Sequence, residues 1–322
     1  MAALMVGYLA RRAGSMILVL LGVSVLVFLI MQLVPGDPVR TMLGPTATAE
    51  SIAAVRADLG LDQPLVQQYV SYLGGLVQGD LNTSLTMAQP VAEIVFPKLG
   101  NTIILAAGAL VICLVIGVPL GVLAATRQYS LFDRGAMFLS LAGASVPVYW
   151  AALVVISVFA LELGWLPTSG MYDVREPGGL GDLLRHLVLP AATAAVVPTA
   201  VIARLTRSVM VEALQQDHIR MLRANGVPER QIVWKHALRN ALPPIVNIVG
   251  LQVGYLLGGV IFIEVVFSWP GLGGQLYTSI TSNDMPIIQA GVLFIALVFV
   301  VVNLIADIVV ALLDPRTREA VG

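Results

Sequence analysis

Charge is scarce in this sequence: Asp, Glu, Lys and Arg together make up 11% of 322 residues, while hydrophobic residues make up 58%. A soluble domain carries about 25% charged residues, so the composition excludes one and describes an integral membrane protein. Lysine occurs only as Lys98, after Pro97, and Lys235, after Trp234. A phosphate-cradling loop needs glycines leading into a lysine, so the chain has no ATP site of its own. The lone Cys113 excludes an internal disulfide and a cysteine metal centre. His186, His218 and His236 are scattered and build no metal constellation. The formal net charge of -1 gives no reason to expect nucleic acid.

What is present is a set of long apolar runs, at 13–34, 101–125, 136–161, 187–203, 242–263 and 287–313. Each approaches or exceeds the ~20 residues that span a bilayer, so six transmembrane helices are expected. The first run competes with a cleaved signal peptide, whose apolar core is about 7–15 residues long. Its length, and its ending in Pro35-Gly36-Asp37-Pro38, favour a retained helix. Ionisable groups inside the runs are few. Glu162 and Glu264 fall near outer ends, and Asp307 falls about two turns from an inner end, where pairing with an arginine is the simpler reading. An ion-coupled transporter needs charges at mid-membrane, and a membrane enzyme needs a catalytic cluster; neither appears. Glycines and small residues at four-residue spacing, including Gly117 and Gly121 and then Gly250, Gly254 and Gly258, fit close helix packing in lipid. Pro119 and Pro147 fit packing first and a hinge second.

Residues 35–98 differ in kind, with Asp37, Glu50, Asp58, Asp62, Asp80 and Glu93 among turn residues and short helical patterns at 49–59 and 65–76. A small, mainly helical cap outside the membrane is expected. With an even number of spans, one side holds Arg11, Arg12, Arg127, Arg134, Arg204, Arg207, Arg220, Arg223, Arg230, Lys235, Arg239, Arg316 and Arg318; the other holds Arg40, Arg56, Lys98, Arg175 and Arg185. Thirteen against five places both termini in the cytoplasm.

The richest polar stretch is 212–240, EALQQDHIRMLRANGVPERQIVWKHALRN. It reads as a helix, a break and a second helix. Gly226 suits the left-handed residue that closes a helix, and Pro228 the first turn of the next. Asn240 with Pro243-Pro244 is expected to end the second helix. Ile219, Leu222, Ile232, Val233 and Trp234 supply an apolar face for a partner, and Arg220, Arg223, Glu229 and Arg230 supply orienting charge. Ala224-Asn225-Gly226 also looks like the turn of a DNA-binding helix-turn-helix, but bilayer on both sides denies it the clearance to enter a groove.

The stretch Asp217 to Pro244 resembles the cytoplasmic coupling signature of membrane permease subunits of bacterial ABC importers, specifically the B-type subunit of the dipeptide/oligopeptide/nickel group. Gly226 matches the signature glycine. Arg220-Met221-Leu222 stands where the superfamily has Glu-Ala-Ala and the peptide group Arg-Thr-Ala. Further matches run in order along the chain: Val34-Pro35-Gly36-Asp37-Pro38, Asp58-Leu59-Gly60-Leu61-Asp62-Gln63-Pro64, Gly79-Asp80-Leu81-Asn82-Thr83-Ser84, Asn101-Thr102, Ser268-Trp269-Pro270-Gly271-Leu272-Gly273, and Leu313-Asp314-Pro315-Arg316.

The resemblance implies an all-α membrane protein of six spans. Residues 1–34 would form the added first helix, 35–98 the extracytoplasmic cap, 99–315 a type I importer permease core, and 316–322 a cytoplasmic tail. It implies residence in the bacterial inner membrane and no cofactor in this chain, ATP and magnesium belonging to partner subunits. The implied partners are a C-type permease subunit, two ATP-binding subunits and an extracytoplasmic solute-binding protein, with lipid around the spans. Asp217, Arg220, Arg223, Ala224, Gly226, Glu229, Arg230 and Trp234 would meet an ATPase, and Ser145, Pro147 and Gly254 would border a roomy solute path. The same subunit pattern serves di- and oligopeptides, glutathione-like peptides, nickel complexes and haem. An exporter is the remaining alternative, separated by the absence of a binding protein.

Overall fold

The computed structural model describes residues 2–33, 38–44, 46–58, 60–175 and 178–313. Val34 to Asp37, Leu59, and Asp314 onward, including Pro315, Arg316 and Arg318, lie outside the described residues. Among the described residues the regular secondary structure is helical, with one isolated bridge, Thr83 to Pro90, and turns or loops between the helices. In order the helices are α1 (Ala2–Leu33), α2 (Pro38–Leu43), α3 (Ala49–Asp58), α4 (Leu65–Gln78), α5 (Val91–Thr126), α6 (Leu131–Ser145), α7 (Val148–Glu162), α8 (Leu180–Gln215), α9 (Asp217–Ala224), α10 (Glu229–Val266), α11 (Leu272–Thr281) and α12 (Met285–Leu313). Five are long and apolar enough to cross a membrane, or six if the bent pair α6–α7 counts as one span.

Two compact units divide the chain. The smaller comprises Arg11–Asn101 and Pro270–Val298. Here Phe28 of α1 lies 5.4 Å from the Tyr69 ring and 6.4 Å from the Tyr72 ring of α4, and the Ser24 and Tyr69 hydroxyls meet at 2.9 Å. Burial pushes the Tyr72 phenol up to about 12, with Tyr69 adding to the shift. Val91, Ile94, Val95 and Leu99 recur at helical spacing at the start of α5. They bury against Leu272 and Leu276 of α11 and Ile287 and Ala290 of α12. Asp284, fully buried, accepts from the Ser84 hydroxyl at 2.5 Å, the Thr86 hydroxyl at 2.6 Å and the Thr86 N–H at 3.1 Å.

The larger unit comprises Met1–Ala10, Thr102–Trp269 and Phe299–Gly322. Its central helix is α8, with 67% of its most apolar stretch buried. Alanines at 191, 194, 195, 200 and 203 make it thin enough to be surrounded. It runs through Pro190 and Pro198 without ending. Gly117 and Gly121, one turn apart, let α5 approach it: a Cβ on Gly121 would sit 2.6 Å from the Ala203 carbonyl oxygen and 2.6 Å from Thr206 Cβ. Gly121→Val is therefore expected to push α5 off α8 and lower the chain's thermal midpoint in detergent. Gly143→Val is the contrast, because its nearest neighbour is a flexible Val196 methyl at 3.4 Å and a smaller loss is expected.

Two expectations need correction. The span expected at 136–161 is two helices bent by 101° at Val146-Pro147. Proline disfavours the helical conformation in the residue before it, and Val146 is extended at φ -75, ψ 129. Second, Pro243-Pro244 does not end a helix, since α10 continues through both to Val266. In lipid a broken helix leaves backbone groups without water, so neighbours and local adjustment sustain a proline-bearing helix instead. The first helix, expected over 1–34, runs from Ala2 to Leu33 with Arg11 and Arg12 inside it, because nothing in Ala2–Ala10 stops a helix.

Candidate functional site

The 212–240 stretch folds as the last turn of α8, the short helix α9, a tight turn, and the first turns of α10. Gly226 has φ +76, the left-handed conformation that glycine adopts without penalty. It closes α9 with a double cap. The Val227 N–H donates to the Leu222 carbonyl at 3.1 Å, and the Gly226 N–H to the Arg223 carbonyl at 3.0 Å. Val227 and Leu222 then pack on the same apolar cluster. Pro228 precedes Glu229 as expected, and its carbonyl accepts the Ile232 N–H at 3.0 Å. The next stretch of α10, Ile232–Ala237, is π-helical, a local widening that recurs at functional sites.

Side chains lock the turn. Arg223 grips Glu229 with two bonds, Nη2 to Oε1 at 2.7 Å and Nε to Oε2 at 3.1 Å. Its Nη1 also reaches the Leu214 carbonyl at 3.3 Å, tying the turn to the end of α8. The Glu229 bonds raise the Arg223 guanidinium further above its already high value. Asn240 does not terminate a helix but donates to His218 Nε2 at 3.1 Å, joining α10 to α9. Asp217 and Arg220 meet at 3.4 Å with 96% and 69% of their side chains exposed, a contact worth little in water.

The apolar face expected to meet a partner is mostly turned inward. Ile219, Ile232 and Val233 are buried with Val122, Met210 and Leu214, and Leu222 is half-buried. Helical periodicity marks an apolar face without saying whether α5 and α8 already cover it. What the turn presents outward is Trp234 (45% exposed), Met221 (60% exposed), Arg220, Arg223, Ala224, Gly226, Glu229 and Arg230. The expected surface thus keeps Trp234 and its charges, loses three aliphatic members and gains Met221.

Two neighbours escaped sequence reasoning. Arg207 of α8 donates to Asp133 of α6 through Nε at 2.5 Å and Nη2 at 2.7 Å, and Asp133 is 2% exposed. Asp133 also accepts the Tyr129 N–H at 2.9 Å, while its own N–H donates to Ser130 Oγ at 3.2 Å. The Ser130–Asp133 spacing is a helix-start signal that was readable; its link to Arg207, 74 positions away, was not.

Ser145 and Pro147 lie together, exposed, at the α6–α7 break, the Ser145 hydroxyl donating to the Leu141 carbonyl at 2.9 Å. Gly254 is on α10, where a Cβ would come within 2.4 Å of the Phe299 ring. Among the described residues no group of three His, Cys, Asp or Glu could hold a metal ion.

Long apolar helices with a turn locked at one end describe a multi-pass membrane protein, and comparison with known proteins gives its class. The family model described as binding-protein-dependent transport system inner membrane component matches residues 117–319, and the model of its N-terminal part matches residues 5–106. The dipeptide transport system permease protein DppB of Alkalihalophilus pseudofirmus is 40% identical over 332 residues, covering 98% of this chain and all of that one. The oligopeptide transport system permease protein AppB of Bacillus subtilis is 40% identical over 97% of this chain and 99% of its own. A glutathione transport system permease protein, GsiC of Escherichia coli, is 41% identical over 98% and 99%. Among solved structures, a chain of the inward-facing MetNI methionine ABC transporter shares the fold, with TM-score 0.58 and 20% identity over 71% of this chain and all of that one. The chain is a transport permease. It belongs to the family of binding-protein-dependent transport system inner membrane components.

Proposed function

We propose that this chain is the membrane-spanning permease subunit of an ATP-driven ABC importer of peptides. The observation that carries the reading is 40% identity, over at least 97% of the chain, to permeases of dipeptide and oligopeptide transport systems. The glutathione relative fits the same substrate class, glutathione being a small peptide. In this reading α6 and α7 form one broken span among six, residues 35–98 are an extracytoplasmic cap, 99–315 the type I permease core, and 316–322 a tail. The excess of Lys and Arg beside the 212–240 turn assigns both termini to the cytoplasm.

The chain supplies a path and a handle, and the energy comes from partners. A second, C-type permease subunit completes the pathway, two ATP-binding subunits hold ATP and magnesium, and an extracytoplasmic solute-binding protein delivers the peptide. The locked α9–α10 turn is the handle. Asp217, Arg220, Arg223, Ala224, Gly226, Glu229, Arg230 and Trp234, with Met221, make its docking face. Closure of the ATPases pushes the turn and swings the helices between inward-open and outward-open states. Ser145 and Pro147, at the broken span, and Gly254 lie on the solute's side of that movement.

Purification of the tagged chain with its natural partners, reconstituted in liposomes with enclosed ATP, tests the reading. Uptake of labelled di- and oligopeptides is expected only when ATP and the binding protein are both present. Uphill transport by the chain alone on an ion gradient would overturn it.

A further inference from the structure

The loop between α5 and α6 stands beside the α9–α10 turn, and it is held there against its own backbone preference. Tyr129 has φ +64. That left-handed conformation is unfavourable for a non-glycine residue. Strain of this kind persists where surroundings impose it, and it gathers at functional positions. Burial does not repay it, because Tyr129 is 73% exposed. What imposes it is the Tyr129 N–H bond to Asp133, itself fixed by two bonds from Arg207 of α8. A glycine would adopt the same turn freely, so the position is occupied by tyrosine for its side chain.

Tyr129 opens onto a groove of about 710 Å³ lined in part by Arg127, Gln215, Arg223 and Glu229. One wall is therefore the α5–α6 loop, and the other is the paired arginine and glutamate of the α9–α10 turn. Arg127 is set over the Phe132 ring at 5.6 Å. Exposed tyrosine and arginine around a groove are the residue types that dominate protein interfaces. A glutamate in the lining argues against an anionic lipid headgroup, which favours basic clusters.

We propose that the α5–α6 loop is a second contact for the ATP-binding subunit, with Tyr129 as its anchor and the groove receiving a polar segment of that subunit. The proposal rests on the importer reading above. Its mechanical sense is that a single docked turn leaves a partner free to swivel about one contact. A second contact, tied to α8 through Asp133 and Arg207, converts the partner's movement into a displacement of α5, α6, α8 and α10 together.

A photo-crosslinking amino acid placed at position 129, and separately at position 230, in the complete complex tests this. Both positions are expected to yield adducts with the same ATP-binding subunit. An adduct from 230 alone overturns the second contact and leaves the importer reading standing. ATPase adducts from neither position overturn both, and a lipid adduct at 129 overturns the assigned partner. Tyr129→Gly removes the side chain while relieving the strain, so loss of fold does not confuse the result. Roughly thirtyfold weaker binding of the ATP-binding subunit is expected at undiminished membrane level; wild-type affinity would overturn the proposal.

Discussion

A Gly226→Val chain is expected to reach the membrane in normal amount and to import almost nothing. A Cβ at Gly226 would meet no atom within 4 Å, so the whole cost lies in the backbone. At φ +76 an ordinary L-residue gives up about 1–2 kcal/mol, and a β-branched one is a rarer outlier still. If valine escapes by abandoning the left-handed conformation, the two capping bonds to Leu222 and Arg223 go, and the grip of Arg223 on Glu229 loses its geometry. The cluster beneath, with Ile219, Ile232 and Val233 buried, still seats both helices, so the chain survives while its turn points elsewhere. Gly226→Asn should stay near wild type, because asparagine tolerates this conformation, and Gly226→Ala should fall between. ATP-driven peptide uptake, normalised to chain level by immunoblot, checks the order. Wild-type uptake by the valine variant would mean that the turn's shape does not matter.

Asp133→Ala is expected to be the most destabilising single change at this end of the larger unit. The carboxylate is nearly sealed, and Arg207 has 24% of its side chain exposed. Removing one member of a buried pair costs about 3–5 kcal/mol, because the other charge stays behind uncompensated. Partial solvent access to Arg207 puts the expectation toward the low end of that range. The freed Tyr129 N–H adds to the loss, as does the position's place in the first turn of α6, where a negative side chain is favourable. Arg207→Lys keeps the charge but not the two-pronged geometry, so a smaller loss is expected. Removing both partners should be milder than removing Asp133 alone. Thermal midpoints in detergent give the ranking. A double variant melting below Asp133→Ala would show that the pair is not what holds α6 to α8.

The parts of this fold legible in the sequence were those written locally. Long apolar runs announce spans because a bilayer sets their length, and Gly226 before Val227-Pro228 announces a helix stop and restart because few residues accept that backbone. Pro243-Pro244 misled because proline ends helices in water, whereas in α10 the helix continues through both. Pro147 was ambiguous for the same reason: a proline in an apolar run bends one helix and interrupts another, and here Val146 settles into the extended conformation. Ile219, Ile232 and Val233 were rightly read as one apolar face, but which neighbour covers it is a tertiary fact. Asp133 and Arg207 were simply too distant in sequence to be paired.

The continuity of α10 has a consequence for how the larger unit deforms. Thirty-eight residues from Glu229 to Val266, about 57 Å at 1.5 Å each, run as one helix with its foot in the α9–α10 turn, its regularity broken only by the π-helical Ile232–Ala237 and by Pro243-Pro244. Helices bend at π-helical turns and prolines, so a displacement applied at the foot reaches the head with flexing confined to those two places. Further bending has a ready place in the knuckle between α6 and α7, which is already bent by 101°.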